Sequence, residues 1–295
     1  MKPYVLITAA YNEGAYIGKT IQSVLAQNLL PKHWIIVSDG SMDRTDEIIK
    51  KYSSKHEFIQ YIRIEKRKQS HNFASKVFAL NTGYNIIKKY HFDFIGHLDA
   101  DITFHGSHYY ELILDKFIRY PKLGVTGGYI YENNQGHFKS RPFNSVDSVA
   151  GGIQIFRREC YEDIAGFLPL EFGGEDWYAE VVARMKGWEV ESFPELQVLH
   201  HKPTLGTKGS VKEGFRQGLM DYSLGSDPVF EIFKCLYRLK KRSHISYAFS
   251  RLYGYSRSFI LRPEIPVSAD FIRYLRKEQR KRLRIGFLSF FTSNQ

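Results

Sequence analysis

The chain has 295 residues, room for one large α/β domain or for a catalytic domain with an appendage. Hydrophobic residues at 43% and charged residues at 25% give the balance of a folded globular protein and argue against a disordered or fibrous one; 22 Phe and 20 Tyr imply large aromatic faces. The formal net charge of +11 is unevenly placed: residues 1–210 hold 25 Lys and Arg against 24 Asp and Glu, whereas residues 211–295 hold 17 against 7, so the excess belongs to the tail and points there to an anionic partner.

The first hundred residues alternate strand and helix signals. A strand at Tyr4–Ala10 is followed by a helix over about Ala15–Gln27, a strand at Trp34–Ser38, a helix at Thr45–Lys55 and a strand at Ile59–Ile64; a helix at Ser75–Tyr90 and a strand at Phe92–Leu98 continue the series. This spacing implies βαβ units, a mostly parallel sheet with helices on both faces, and ligands at the C-terminal strand ends. After Asp101 the regularity loosens into a helix near Tyr109–Tyr120, strands near Val125–Tyr131 and Gly152–Phe156, and a helix at Asp176–Lys186. Beyond Pro203 comes a Gly-containing loop, Leu205–Gly209, then aromatic and basic helices broken at Asp227-Pro228 and Arg262-Pro263, which places a boundary near 210. Cys160 and Cys235 lack the paired spacing of a disulfide framework or a zinc site, which fits a reducing cytosol. No signal peptide is expected, and no uncharged run approaches the roughly 20 residues of a membrane-spanning helix.

Three carboxylate features fall at expected strand ends or helix starts. Asp39, in Ser38-Asp-Gly-Ser-Met-Asp-Arg-Thr45, can accept a hydrogen bond from a base or ribose, or serve only as turn and cap chemistry. Leu98-Asp-Ala-Asp101 places two carboxylates after an apolar strand, a pattern that suits Mg²⁺ or Mn²⁺ shared with substrate phosphates and that also occurs in solvated turns. Gly173-Gly-Glu-Asp-Trp177 opens a helix, where Asp176 is either a general base screened by Trp177 or a capping residue. His200-His201 after Gln197–Leu199 can complete a metal shell or touch a diphosphate, and Lys76 can offset phosphate charge or lie on a plain helix surface. Neither Gly-x-Gly-x-x-Gly after the first strand nor a P-loop is present, so the sequence offers no glycine-rich phosphate cradle.

In order and spacing, Ala9-Ala-Tyr-Asn-Glu13, Ser38–Thr45, Leu98–Asp101, Gly151-Gly-Ile-Gln-Ile-Phe156 with Ile164-Ala-Gly-Phe167, and Gly174-Glu-Asp176 resemble the successive motifs of family-2 glycosyltransferases, over about residues 3–205. The resemblance implies an α/β fold of the GT-A type, a Rossmann-like doubly wound mixed sheet, with a helical basic C-terminal extension. It implies a catalytic domain over 1–210, with about 1–100 on the nucleotide-sugar side and 101–210 on the acceptor side. It implies Tyr11 and Glu13 flanking the nucleobase and Asp39 bonded to it, Asp99 at the ribose or diphosphate and, with Asp101, on Mn²⁺ or Mg²⁺, and His200 or His201 at metal or phosphate. Asp176 matches the catalytic base, with Glu175 and Trp177 beside it at the substrate and Lys76 at the departing diphosphate. A single base implies inversion at the anomeric carbon. Ser38 stands where many members carry a further Asp.

The tail, residues 211–295, contains Phe230–Arg242 and Arg273–Arg284, which interleave aromatic or apolar residues with basic ones and suit an anionic membrane surface. The resemblance points the same way, to lipid-linked or glycan acceptors in cell-surface polysaccharide or glycolipid synthesis and to a cytoplasmic protein at the inner face of the membrane. Nucleic-acid binding and plain solvated helices compete for this segment, and nucleic acid is not the expected partner. For the whole chain the alternatives are a nucleotidyltransferase, whose Gly-rich basic first loop Tyr11-Asn-Glu-Gly-Ala15 does not resemble, and a non-catalytic nucleotide-fold protein that binds membrane or nucleic acid.

Overall fold

In the computed structural model the uncharged run Tyr4–Ala10 forms β1, buried along almost its whole length as a central parallel strand requires. The structure describes residues 2–65, 73–134, 136–202, 210–239 and 245–292, the side chains of 134, 239 and 285–292 excepted, so the expected loop Leu205–Gly209 lies outside the described residues. Two compact units are present, Met1–Pro169 with Glu175–Pro203, and Leu170–Gly174 with Thr204–Gln295.

In the first unit β1 is followed by α1 (Ile17–Leu25), β2 (His33–Asp39), α2 (Thr45–Ser53), β3 (Ile59–Ile64), α3 (Ala74–Ile87) and β4 (Phe94–His97). Then come β5 (Ile102–Phe104), α4 (Tyr109–Arg119), β6 (Leu123–Asn134), β7 (His137–Ser140), β8 (Ile155–Arg157), α5 (Arg158–Asp163), α6 (Glu175–Met185) and β9 (Glu189–His200). One sheet carries them in the order β3-β2-β1-β4-β8-β6-β9-β5, with β7 hydrogen-bonded to β6. Strands β3-β2-β1-β4 are parallel neighbours; β8 then pairs antiparallel to both β4 and β6, β6 pairs parallel with β9, and β5 antiparallel to β9, so the sheet is mixed.

The main departure from the sequence reading is β9, expected only at Gln197–Leu199. It begins at Glu189 and pairs parallel with β6, skipping residues 194–196 between the pairs Gly128↔Phe193 and Tyr129↔Gln197. The bulge holds Pro194 and presses the Leu196 carbonyl onto Gly128, where any Cβ would overlap that oxygen. An interrupted, partly polar strand of this kind has no simple two-residue alternation to announce it.

The second unit consists of α7 (Val211–Ser223), α8 (Pro228–Leu239), α9 (Ile245–Leu261) and α10 (Ala269–Thr292). Helices α7 and α9 approach backbone to backbone: a Cβ at Gly214 would stand 2.5 Å from the Tyr247 carbonyl oxygen, and one at Gly218 would overlap that of Arg251. The interior of this unit sets an ion cluster beside buried Leu224, Ala248, Phe271 and Leu275. Arg251 pairs with Asp221 and lies 3.6 Å from Glu231, while Lys234 bridges Asp221 at 3.1 Å and Glu231 at 2.8 Å. Helix α10 is tied to the α7–α8 turn, where Arg276 donates to the Gly225 carbonyl, Gln279 to Ser226 and Arg280 to Asp227. Among the described residues no helix is long and apolar enough to cross a membrane. Gly218→Ala is expected to destabilise the protein by about 1–3 kcal/mol through overpacking, read as a lower urea midpoint for loss of helical circular dichroism; an unchanged midpoint would show that α7 and α9 are not this close.

Candidate active site

The loops that leave β1 and β2 are stitched together by side chains. The Asn12 amide donates to Ser41 Oγ (3.1 Å), the Met42 amide to Asn12 Oδ1 (2.9 Å), the Glu13 amide to Thr45 Oγ1 (2.8 Å) and the Gly14 amide to Asp43 Oδ2 (2.9 Å). This stitching brings Tyr11, Glu13 and Asp39 to the C-terminal edge of the parallel strands. Tyr11 is exposed there, while Asp39, the last residue of β2, is buried. Glu13 accepts from Lys202 Nζ at 2.7 Å, its other carboxylate oxygen is buried without a hydrogen-bond partner, and burial raises its pKa. Lys202 joins this corner from just beyond the end of β9 and carried no local signal in the sequence.

The acid pair after β4 is split between two partners. Asp99 Oδ1 lies 2.6 Å from Nζ of Lys76, near the start of α3. Burial alone would raise the Asp99 pKa, but the Lys76 ammonium outweighs it and holds the carboxyl below its ordinary value. Burial likewise works against the charge of Lys76, and Asp99, Glu175 and Asp176 outweigh it and raise the pKa. Asp101 is buried in the turn between β4 and β5. Pairing of β5 with β9 sets Ile102 opposite His200, which brings His200 Nε2 to 3.1 Å from Asp101 Oδ2. His200 Nδ1 is buried without a hydrogen-bond partner, 4.0 Å from Glu132 of β6. His201 goes elsewhere: its Nε2 lies 2.8 Å from Thr103 Oγ1 and its ring meets Phe138 edge-on at 5.4 Å. Among the described residues no three His, Cys, Asp or Glu side chains converge as a metal cage.

Asp176 is the second residue of α6, and the Trp177 amide donates to its Oδ1 at 2.8 Å. Gly151 and Gly152 lie against both acids. A Cβ on Gly151 would stand 2.5 Å from Asp176 Oδ2, and one on Gly152 would stand 2.6 Å from Asp99 Oδ2. The two glycines therefore form a backbone ledge with Asp176 on one residue and Asp99 on the next, and the Gly152 carbonyl accepts from the Asp99 amide at 2.9 Å. Glu175 is buried beside them, and burial together with Asp176 pushes its pKa up to about 7.

Two residues under this ledge were not singled out by sequence reasoning. Gln154 Nε2 lies 3.3 Å from the carbonyls of Val149 and Asp176 and 3.1 Å from Glu180 Oε1, and the Val149 amide donates to the same Glu180 oxygen at 2.7 Å. Gln154 and Glu180 thus tie the glycine turn to α6. Burial pushes the Glu180 pKa up to about 8. In a sequence, an acid one turn into a helix looks like a surface residue; only the packing of α6 on the turn shows that it faces inward. His97, on β4, is buried among Phe156, Tyr161 and Phe167, and burial lowers its pKa to about 3.

A mixed sheet with paired acids at the end of its central strands and an acid-opened helix beside them is the arrangement of the GT-A glycosyltransferases, and solved structures of that fold superimpose on the chain. A mannosyltransferase from Pyrobaculum calidifontis in complex with GDP-Man and Mn²⁺ gives a TM-score of 0.57 at 14% identity over 99% of this chain and 83% of the other. Staphylococcus aureus TarS 1–349 in complex with UDP-GlcNAc gives 0.57 at 16% over 92% and 79%. The family model for glycosyl transferase family 2 matches residues 5–168, more than half of the chain, and the chain belongs to that family. Poly-β-1,6-N-acetyl-D-glucosamine synthases are similar at 28% identity in S. aureus (strain COL) and 34% in Staphylococcus epidermidis, each over 64% of this chain. The chain spans about half, 47%, of the length of these curated relatives.

The buried acids make stability depend on pH in a definite direction. Folded Glu180 keeps its proton to about pH 8, whereas an unfolded glutamate releases it near 4.5, so between these values the folded state binds the extra proton. This contribution is complete below the lower value and is lost as pH rises through the upper one. Glu175, raised to about 7, acts in the same sense over a narrower span. Buried His97, its pKa lowered to about 3, works in the opposite sense up to its unfolded value of 6.5, so the clear window lies above it. Wild type is therefore expected to lose urea stability as pH rises from 7 to 8, and Glu180→Gln to lose most of that slope; equal slopes in the two proteins would contradict the assignment.

Proposed function

We propose that the chain transfers a sugar, with inversion, from a nucleotide-sugar donor to an acceptor hydroxyl in the synthesis of a cell-surface polysaccharide or glycolipid. The observation that carries this reading is the glycine ledge, which sets Asp176 and Asp99 against adjacent backbone residues; in this reading the first meets the acceptor and the second the donor's phosphates. Family membership and the naming of the staphylococcal relatives as polysaccharide synthases support it. Tyr11, Glu13 and Asp39 receive the nucleobase and ribose at the strand edge, and Lys76 with Asp99 lies toward the diphosphate. Asp176 takes the proton from the attacking hydroxyl, with Glu175 and Trp177 lining the sugar side. One base permits one displacement, hence inversion.

Asp101 and His200 are the residues that suit a divalent cation, and the pair fits Mn²⁺ or Mg²⁺ in a particular way. One carboxylate and one imidazole are too few to hold such an ion alone, and a hard cation of this size is commonly shared between one or two protein ligands and substrate phosphates. When bound, the ion neutralises charge on the departing nucleoside diphosphate. His201 is assigned no metal contact in this reading, because its side chain is engaged by Thr103. The catalytic part is assigned to 1–210, with residues 1–100 toward the donor and 101–210 toward the acceptor. Residues 211–295 are assigned to an anionic surface, at the inner face of the cell membrane, where a lipid-linked acceptor is presented.

Purified protein incubated with Mn²⁺ and UDP-, GDP- and dTDP-sugars is expected to release nucleoside diphosphate from one donor, with the release lost on chelation and in Asp101→Ala. Asp176→Asn is expected to keep nucleotide binding by calorimetry while turnover falls roughly a hundredfold to ten-thousandfold. Retention of the donor's anomeric configuration in the product, or full turnover by Asp176→Asn, would overturn the assignment.

A further inference from the structure

The second unit is built inside out. On α8 the inward positions are Glu231, 1% exposed, and Cys235, 4% exposed, with Lys234 reaching Asp221 and Glu231. The outward positions are Val229 (53% exposed), Ile232 (46%), Phe233 (36%), Leu236 (52%) and Tyr237 (73%). Their spacing of three, four, seven and eight residues is that of a continuous stripe along one helix face. A surface helix ordinarily turns such a stripe toward the core and its charges toward water. Here the order is reversed, because the ion cluster of Asp221, Glu231, Lys234 and Arg251 occupies the interior and fixes the rotation of the helix. Helix α9 repeats the pattern, with Arg251 buried at 3% and Phe249, Tyr253 and Ile260 exposed.

A contiguous apolar row on a soluble surface marks an interaction site. Its occupant is narrowed by charge. Residues 211–295 hold 17 Lys and Arg against 7 Asp and Glu, and Lys240-Lys-Arg242 follows the stripe directly in sequence. A second copy of the chain would bring the same excess against itself, whereas an anionic bilayer offers hydrocarbon beneath a negative surface, matching both features at once. We propose that the apolar row of α8 is the element that inserts into an anionic membrane interface, lying in its plane, with Ile232 and Leu236 as the central anchors. The proposal deepens the reading of residues 211–295 given above and rests on it.

The test is co-sedimentation of the full chain with phosphatidylcholine vesicles prepared with and without phosphatidylglycerol. Binding is expected only with phosphatidylglycerol. Ile232→Ser with Leu236→Ser is expected to weaken it by about tenfold per residue, in line with the apolar area withdrawn from lipid, while helical circular dichroism and nucleoside diphosphate release from the soluble donor stay at wild-type levels. Phe233→Trp is expected to show a blue-shifted emission with anionic vesicles only, which reports insertion without depending on a loss. Absence of wild-type binding to either vesicle overturns both the membrane reading and this proposal. Undiminished binding by the double serine variant, or no emission shift at position 233, overturns the α8 assignment and leaves the general membrane reading in place. A concentration-dependent dimer by light scattering that the serine variant abolishes, without lipid binding, assigns the face to a second copy instead. Capture of nucleic acid in place of vesicles overturns the proposal equally.

Discussion

Close approach of backbone to carboxylate at Gly151 and Gly152 is the constraint on which the site depends. Neither residue has a Cβ, and the space one would occupy holds Asp176 on one side and Asp99 on the other. Two acids on separate elements, α6 and the end of β4, are therefore set by one stretch of main chain. The turn is stiffened from beneath by Gln154 and Glu180, and one edge of it is bonded to the Asp99 amide. Lys76 offsets the Asp99 charge, so the acids share a half-buried space without leaving it uniformly negative.

Much of this was legible in the sequence because it is local. Uncharged runs gave β1 and β2, and the motif acids follow strand ends at fixed intervals. Asp39, Asp99 and Asp101 could be placed at one edge of the sheet from strand and helix alternation alone. Pairings between distant parts of the chain were not legible. His200 reaches Asp101 through the register of β5 on β9, and most of β9 was hidden by Pro194 and the bulge opposite Gly128. Two adjacent histidines look equivalent in a sequence, yet alternation along a strand end sends one to Asp101 and the other to Thr103. Glu180 and Lys202 escaped for the same reason: their partners lie 31 and 189 residues away.

The tail shows a different limit. Its helices were evident as mixtures of apolar and basic residues, but a helical period says which side chains share a face and not which face turns inward. That choice was made by the ion cluster. Once Arg251 and Lys234 settle between Asp221 and Glu231, rotating α8 to bury its apolar row would carry Glu231 and Lys234 out to solvent and leave Asp221 and Arg251 buried with part of their charge partners gone, which is costlier than leaving leucine and isoleucine in water.

An interior of this composition responds to heat differently from an aliphatic one. The hydration of separated ions becomes less favourable as temperature rises, so the cost of withdrawing Asp221, Glu231, Lys234 and Arg251 from water shrinks on warming. Burial of methylene groups gains no comparable margin. The second unit thus carries an ion cluster whose relative worth grows with temperature, in the same chain as a sheet whose buried side chains are mostly apolar.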